Sequence, residues 1–406
     1  MRIAILSTCY GEQIRKIYAE NSYLYDLDRD EQFKTVLKIS GSQFYYWKKY
    51  LKTPKHEIKV FCHDLDFLYR GKSTDKNISE THSSEELFIE RIKAFSPDIL
   101  FIFSPHYYGC FIVPIMEHVH SIKKLVAWYG ADQGEEDKTF SIYDLVLTNS
   151  KIFRDRLFEL GIKSEILNHS FETSIFGKIL KKNSNSRRKN RFVFTGTLGL
   201  ENPDHTERYN YLEKLSARVP IDLFSDDIPY RKTKKHLLIE TRHKVSKNLS
   251  EKLGSYTPAT LKSWADKSNQ PHFPSTTPNH VVSSLSKAVY GRDMLEKLFE
   301  YAICFNNHNR ATGDSACNMR LFEATGMRCC LLTDFKSDIE SLFETDREIV
   351  TYKSIDEAVS KAKFLIENPD TANEIATAGQ KRTFRDHTTE KQAKQLSFFL
   401  NELLKN

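Results

Sequence analysis

Two side chains in this sequence, Arg320 and Glu323, have the types and the spacing that suit ligand chemistry. They belong to residues 318–326, which follow an apolar run and a polar loop and precede a second apolar run. This pattern predicts a strand, a loop, a helix and a second strand. Residues three apart share one side of a helix, so the guanidinium and the carboxylate would lie together. Arginine and the N–H groups at a helix start bind phosphate, and a carboxylate accepts hydrogen bonds from two ribose hydroxyls. The alternative interpretation is a buried helix that carries one ion pair.

The same segment contains local signals for both ends of its helix. Asp314 or Ser315 can cap the start, since a short polar side chain accepts a hydrogen bond from the first free N–H groups. Gly326 can close the end, because glycine readily takes the left-handed conformation found there. The apolar residues between them share one side and would face a sheet.

The first half of the chain contains apolar runs that lead directly into loops holding Gly11, His106 and Asp132. Continuous apolar runs are typical of parallel strands that are covered on both faces. Ligands of such sheets bind at the carboxyl ends of the strands, so we expect the three loops to form one wall of a cleft. The alternative interpretation is that Gly11 makes a tight turn, His106 caps a turn and Asp132 caps a helix.

The second half repeats this arrangement. Residues 191–195 form an apolar strand that ends in Gly196 and Thr197, and a helix that ends near Arg218 follows before the next strand. Each half therefore begins with a strand, a small-residue turn and a helix. The pattern predicts an α/β protein with two halves of similar architecture.

Changes in composition along the chain predict its domain boundaries. Residues 178–190 are polar and basic, which indicates a linker with solvated charges between a domain at 1–177 and a second domain at 191–387. Residues 225–285 mix basic and proline-rich stretches, and we expect them to form helices and irregular loop in an insertion that faces an acceptor or a membrane. An amphipathic helix is expected over 388–406.

The overall composition limits the class of protein. The chain has 406 residues, 40% of them hydrophobic and 28% charged, which suits two globular domains rather than a disordered chain. Its formal net charge of +6 fits anionic ligands such as nucleotide sugars, or an anionic membrane surface, but is too weak to indicate nucleic-acid binding. The first residues predict a strand rather than a signal peptide. No apolar run reaches the roughly 18 residues that span a bilayer, so we expect any membrane contact to be peripheral.

The cysteines and carboxylates do not form a metal-binding pattern. Seven cysteines lie mostly in apolar or strand-like runs without a Cys-x-x-Cys pair, which is typical of reduced, buried thiols in a cytoplasmic protein. No Cys/His cluster has the spacing of zinc ligands, so we expect neither a metal nor a cofactor. The Asp-x-Asp pattern occurs at 26–28 and 64–66, in the first domain and outside the context in which it would bind a metal.

Four stretches of the second half form a recognisable combination. They are Tyr-Gly-Arg-Asp-Met at 290–294, Asn-Asn-His at 306–308, Asn-Met-Arg-Leu-Phe-Glu-Ala-Thr-Gly at 318–326 and Leu-Thr-Asp at 332–334. Together they resemble the C-terminal domain of family-1-type glycosyltransferases, in particular the spore-maturation-like group. The resemblance covers about residues 190–390, whereas the first domain matches only in layout.

The resemblance implies the GT-B fold, in which two Rossmann-like domains face each other across a cleft. In that fold the C-terminal domain holds a nucleotide-sugar donor, the N-terminal domain holds the acceptor, and the final helix crosses back onto the first domain. The implied activity is transfer of a sugar from a nucleotide-diphosphate sugar to a glycan or glycolipid, in surface polysaccharide or lipopolysaccharide biosynthesis. The implied location is the cytoplasm or the inner face of the membrane. A helix start and one or two cations can stabilise the leaving diphosphate without a metal.

The resemblance also implies roles for individual residues. Glu323 matches the carboxylate that binds the donor ribose, and Arg320 matches a basic residue near the diphosphate. Gly196 and Thr197 match the loop under the phosphates, and Arg208 matches a basic position that follows this loop.

One position departs from the family pattern. Many retaining enzymes of this fold carry two glutamates separated by seven residues, and here the first of those positions is Ser315, with Asp314 beside it. Either Asp314 replaces the glutamate or the hydroxyls of the sugar are bound differently. Both residues, together with Asn318 from the motif, are therefore candidates for the donor site, and the identity of the sugar and the retaining outcome stay open.

Other mechanisms and functions fit the same fold. If the reaction inverts the anomeric centre, a base must deprotonate the acceptor hydroxyl, and His106 and Asp132 are the candidates. A different class of function is a non-catalytic nucleotide-sugar-binding subunit. A third possibility is epimerisation or phosphorolysis on the same fold, although no cofactor-lysine motif of a phosphorylase is evident.

Overall fold

A computed structural model describes most of the chain. The described residues are 1–9, 11–51, 56–63, 84–103, 105–130, 134–183, 186–200, 206–230, 234–266, 276–308 and 310–405.

The first half of the chain is built on a six-stranded parallel sheet. Its strands are β1 (Arg2–Leu6), β2 (Glu57–Phe61), β3 (Ile99–Ile102), β4 (Lys124–Trp128), β5 (Leu145–Thr148) and β6 (Ser164–Ile166). They are ordered β2-β1-β3-β4-β5-β6, and every neighbouring pair is parallel. Because β2 lies on one side of β1 and β3 on the other, the chain reverses direction across the sheet between β1 and β3. The four residues of β3 are all buried, as expected for a continuous apolar run.

A second six-stranded parallel sheet forms the other half. Its strands are β7 (Lys189–Thr195), β8 (Ile221–Phe224), β9 (Leu285–Ser286), β10 (Tyr301–Phe305), β11 (Cys330–Asp334) and β12 (Val350–Tyr352). Their order is β12-β11-β10-β7-β8-β9. The reversal therefore falls between β7 and β10, and in open α/β sheets this is the position at which ligands bind.

Helices cover both sheets. Those up to β7 are α1 (Gly11–Glu20), α2 (Arg29–Ser40), α3 (Gln43–Tyr50), α4 (Ser84–Phe95), α5 (Pro105–His118), α6 (Lys151–Glu159) and α7 (Thr173–Lys182). Those after β7 are α8 (Thr206–Ser216), α9 (Lys234–Leu253), α10 (Ala259–Ala265), α11 (Asn279–Ser284), α12 (Gly291–Phe299), α13 (Arg320–Gly326), α14 (Ile355–Glu367), α15 (Pro369–Asp386) and α16 (Thr389–Lys405).

The final helix, α16, returns to the first sheet, as predicted. Leu396, Leu400 and Leu403 are buried in the same apolar cluster as the strands of that sheet. The indole N–H of Trp47 on α3 donates a 2.9 Å hydrogen bond to the side-chain oxygen of Gln392 on α16. Burying a leucine side chain contributes about 1.5–3 kcal/mol, so this apolar face holds the helix on the first domain.

Residues 178–190, predicted as a solvated linker, belong in part to a helix and a strand. The first part of this segment completes α7 and its last residues begin β7. Arg188 is not solvated as expected, since its guanidinium donates hydrogen bonds of 2.7 Å to the carbonyl of Phe299 and 2.8 Å to that of Met327. These carbonyls lie at the ends of α12 and α13, where a cation complements the helix dipole. Burial lowers the pKa of Arg188.

None of the helices in the described part of the chain has both the length and the hydrophobicity needed to span a membrane.

Candidate functional site

Arg320 and Glu323 form an ion pair at the position where the second sheet reverses. The guanidinium Nη1 of Arg320 lies 2.6 Å from Oε2 of Glu323, and both side chains are mostly buried. Nη2 of Arg320 donates a 3.1 Å hydrogen bond to the carbonyl of Thr195, the last residue of β7. The pair predicted from spacing is therefore anchored at the carboxyl end of β7. Oε1 of Glu323 has no hydrogen-bond partner among the described residues.

The helix that carries this pair begins and ends differently from the prediction. Its start is bound by Asn318, whose Oδ1 accepts a 2.9 Å hydrogen bond from the backbone N–H of Arg320. Neither Asp314 nor Ser315 caps α13, because the helix begins at Arg320 and Met319 occupies the N-cap position. Gly326 is not left-handed, and the positive φ of 60° falls on Arg328 instead. Gly326 is needed for another reason, since a Cβ there would lie 2.4 Å from the ring of Phe171.

Asp314 and Ser315 lie in different surroundings. Asp314 is exposed, and its Oδ1 accepts a 3.2 Å hydrogen bond from the backbone N–H of Ser337. Ser315 is fully buried, and its hydroxyl accepts a 3.0 Å hydrogen bond from the hydroxyl of Ser150 after β5. Ser315 therefore joins the two domains, while the carboxylate of Asp314 remains on the surface.

The side chain of Asn318 also begins a series of hydrogen bonds between side chains. Its Nδ2 donates to Oδ1 of Asn306 at 2.9 Å, and Nδ2 of Asn306 donates to the hydroxyl of Thr333 at 2.9 Å. Asn306 follows β10 and Thr333 lies in β11, so the chain ties the start of α13 to the carboxyl ends of two central strands.

Arg208 on α8 connects the loops on either side of the reversal. Its Nε and Nη2 donate to the carbonyl of Asn307 at 3.1 and 2.8 Å, and its Nη1 donates to the carbonyl of Thr197 at 3.1 Å. The side chain is buried, and burial lowers its pKa. Arg208 therefore positions the backbone of both loops, with its donors directed at carbonyls.

Gly196 and Thr197 form the exposed edge of the same site. Gly196 has a φ of 142°, a conformation that favours glycine, and its N–H donates a 3.0 Å hydrogen bond to the carbonyl of Phe224 at the end of β8. Both residues are exposed, so their backbone is accessible beside the carboxyl end of β7.

His308 and Asp334 were not proposed from the sequence as site residues. The Nδ1 and backbone N–H of His308 lie 2.7 and 2.9 Å from Oδ1 of Asp334, which fixes the orientation of the imidazole. Burial by itself raises the pKa of the Asp334 carboxyl, but His308 and Lys336 outweigh it and lower that pKa to about 2. His308 Nε2 is buried and has no partner in the described structure. The signal that could have identified this pair is its location directly after β10 and at the end of β11.

Neither Gly11 nor His106 has a hydrogen bond or ring contact with the second domain in the described part of the chain. His106, in the first turn of α5, is exposed, and its ring packs edge-on against Tyr129 with 4.6 Å between centroids. Asp132 lies outside the described residues. The side chains after β5 that do reach the second domain are Ser150, on Ser315, and Asn149, whose Nδ2 donates to the carbonyl of Cys317. Gly11 begins α1 and is exposed.

Within the described part of the chain, no group of three or more His, Cys, Asp or Glu side chains could hold a metal ion. Of the two Asp-x-Asp patterns, the one at 64–66 lies outside the described residues. In the other, Asp28 caps α2 by accepting a hydrogen bond from the backbone N–H of Glu31.

Comparisons with known proteins agree with this architecture. Residues 246–397 match a protein family described as glycosyl transferase-like. A search of curated protein sequences finds no match.

Three solved structures share the fold over nearly their full lengths. A glycosyltransferase from Rickettsia africae ESF-5 is 12% identical with a TM-score of 0.54, and 100% of this chain and 99% of that chain are covered. Anabaena HepE in complex with UDP is 12% identical with a TM-score of 0.53, and 99% of this chain and 100% of that chain are covered. Sucrose-phosphate synthase from Thermosynechococcus elongatus is 10% identical with a TM-score of 0.55, and 100% of this chain and 99% of that chain are covered. The predicted arrangement of two Rossmann-like domains with a returning final helix is thereby confirmed.

Proposed function

We propose that this chain is a glycosyltransferase of the GT-B fold that transfers a sugar from a nucleotide-diphosphate sugar to a glycan or glycolipid acceptor. The observation that carries the proposal is the Arg320–Glu323 pair at the carboxyl end of β7. Glu323 retains one carboxylate oxygen without a partner among the described residues, and ribose hydroxyls can donate to it. The exposed backbone at Gly196 and Thr197 lies at the end of the same strand, where a diphosphate would be bound.

The reaction breaks the bond between the anomeric carbon and the diphosphate oxygen and forms a bond from that carbon to the acceptor hydroxyl oxygen. The proton of the hydroxyl passes to the leaving diphosphate. Negative charge grows on the leaving nucleoside diphosphate, and fixed cations stabilise it. Arg320 supplies such a charge, and its orientation is set in advance by Glu323 and by the carbonyl of Thr195. Retention is the stereochemical outcome we propose, with Asp314, whose carboxylate is exposed, as our candidate for the first glutamate of the family pattern.

The fold relatives indicate which donors to examine first. The Anabaena protein was solved with UDP and with UDP-glucose, so we propose a uridine-diphosphate sugar as the first candidate donor for this chain. We place the activity at the inner face of the cytoplasmic membrane, in surface polysaccharide or lipopolysaccharide synthesis.

The test is the Glu323→Ala variant, with donor binding measured by calorimetry against UDP-, GDP-, TDP- and CMP-sugars and with donor turnover measured by nucleotide release. Removal of a charged hydrogen-bond acceptor costs about 1.5–3 kcal/mol, so donor affinity should fall about 10- to 100-fold. Glu344→Ala is the matched control, because Glu344 also pairs with an arginine three residues away, but on the exposed surface. If Glu323→Ala turns over donor at the rate of the unmodified chain, this site assignment is wrong.

A second candidate function is a non-catalytic subunit that binds nucleotide sugars. The observation that favours it is Ser315, which stands where many retaining relatives have glutamate and whose hydroxyl is buried against Ser150. Donor binding by calorimetry without nucleotide release or transfer, over a panel of acceptors, would support this function over the enzyme.

A further inference from the structure

Helices α9 and α10, between β8 and β9, pack against each other through one face of α9. His243 and Ser246 of α9 are buried, and Nδ1 of His243 lies 2.6 Å from the carbonyl of Trp264 on α10. These two buried residues of α9 are polar, whereas apolar residues of the same helix lie on its exposed surface.

The apolar residues of α9 form an exposed stripe. Leu238, Val245, Leu249 and Leu253 are spaced by seven, four and four residues, which places them on one side of a helix. Each of the four is at least 41% exposed, and Leu238 reaches 70%. An apolar stripe of this length on a helix surface indicates a contact with another phase or molecule.

Aromatic residues extend this stripe onto the neighbouring elements. Tyr256, in the turn after α9, is 89% exposed, and Trp264 on α10 is 44% exposed. The guanidinium of Arg242 lies 4.5 Å above the Trp264 ring, so a cation stands within the apolar surface. Tyrosine, tryptophan and long basic side chains together are typical of the interface between lipid headgroups and acyl chains.

The charge of the helix pair selects an anionic partner. Residues 234–266 contain seven Lys or Arg and three Asp or Glu, a net charge of +4. Lys244, Lys247, Lys252 and Lys262 are exposed. Helical spacing places Arg242 within the apolar stripe and Lys252 beside it. An apolar stripe with such cations fits an anionic bilayer, where each basic residue near the surface contributes about 1 kcal/mol.

The place of this surface in the fold connects it to the site. The chain leaves the sheet for α9 after the carboxyl end of β8, the same edge of the sheet at which β7 ends beside Arg320. Ile228, in the segment that leads from β8, is also exposed, at 82%. A bilayer that contacts α9 and α10 would thus adjoin the sheet edge that carries the donor site.

We propose that the surface formed by Leu238, Leu249, Tyr256 and Trp264 docks the protein onto an anionic membrane. The inference deepens the proposed function, on which its biological meaning rests, because it supplies a reason for a lipid-linked acceptor. Vesicle binding itself needs no donor or acceptor, so it can be tested separately.

The experiment is sedimentation of the full chain with phosphatidylcholine vesicles, with and without phosphatidylglycerol. The unmodified chain should sediment with the phosphatidylglycerol vesicles, and less so at high salt. The double variant Leu238→Glu/Leu249→Glu should bind these vesicles about tenfold more weakly or worse, since two apolar contacts and two charges change. Leu160→Glu/Leu180→Glu is the matched control, because these leucines are 42% and 44% exposed on other elements, and it should bind normally.

Circular dichroism and thermal unfolding show whether each variant is folded without any donor, so failure of docking stays separate from failure of the proposed function. Equal vesicle binding by the double variant and the unmodified chain would overturn the docking surface, whatever the enzymatic result. Equal binding with and without phosphatidylglycerol would overturn the anionic membrane as partner. If the unmodified chain fails to bind vesicles and forms a dimer that the double variant dissociates, the surface is a contact between two copies instead.

Discussion

Gly326 on α13 lies so close to Phe171 that a Cβ on residue 326 would stand 2.4 Å from Cγ of the aromatic ring. Phe171 is buried, and its backbone N–H donates a 2.9 Å hydrogen bond to the carbonyl of His387, just before α16. The missing side chain of Gly326 therefore lets this helix of the second domain pack on the segment where the chain crosses between the domains.

Gly326→Ala should destabilise the fold by about 1–3 kcal/mol, because the ring of Phe171 has to move away from the new methyl group. The measurement is urea unfolding. Gly177→Ala is its control, since no atom lies within 4 Å of a Cβ built there on α7, and it should leave stability unchanged or raise it by about 0.5–1 kcal/mol. Similar effects of the two variants would mean that the close approach is not what requires glycine at 326.

Arg208→Lys should weaken both the fold and donor binding. A lysine ammonium cannot direct N–H groups at the carbonyls of Thr197 and Asn307 in the planar geometry of guanidinium, so buried carbonyls lose their donors at about 1–3 kcal/mol each. Urea unfolding and donor calorimetry measure the two effects. Arg218→Lys, on the exposed surface, should change neither. Full stability of Arg208→Lys would show that the guanidinium geometry is not needed to hold these loops.

Asp334→Asn should remove a pH-dependent part of the stability. The pKa of Asp334 is about 2 in the folded chain against an ordinary value of 3.8, so its carboxylate stabilises the fold above pH 3.8 and this stabilisation is lost as pH falls toward 2. At about 1.4 kcal/mol per pKa unit, the difference at neutral pH is about 2 kcal/mol. Unfolding measured from neutral pH downwards should show the variant and the unmodified chain converging below pH 3.8.

The exposed substitution Glu374→Gln provides the comparison for that pH series, and it should stay close to the unmodified chain throughout. A gap between Asp334→Asn and the unmodified chain that stays constant down to pH 2 would contradict the role of the carboxylate charge.

Leu400→Ala should loosen the returning helix. Leu400 is completely buried in the core of the first sheet, and truncation of such a leucine costs about 2–5 kcal/mol. Phe398→Ala on the same helix removes a side chain that is 62% exposed and should cost little. The measurement is the free energy of unfolding of both variants, which shows whether the buried face of α16 holds the helix in place. Equal losses would indicate that α16 is held by something other than its buried face.

The regular elements could be predicted from local patterns. Continuous apolar runs indicated buried parallel strands, and in the structure β3 is buried throughout and β10 at four of its five residues. The i, i+3 spacing of Arg320 and Glu323 indicated one side of a helix, and the two side chains do meet there. Such features depend on residues close in sequence, which is why periodicity and spacing suffice.

The connections between distant residues could not be predicted in this way. Arg208 binds the carbonyl of Asn307, which is 99 residues away, and Ser315 binds Ser150, which is 165 residues away. Strand order and domain packing decide these contacts, and neither is encoded in local periodicity.

For this protein, the sequence by itself determined the α/β class, the amphipathic final helix and the pair of Arg320 and Glu323. Only the tertiary structure decided that Gly326 is glycine because of Phe171 and that Arg208 holds two loops. The physical reason is that helix and strand signals arise within a few residues of chain, whereas close approach and buried hydrogen bonds require both partners to be in place.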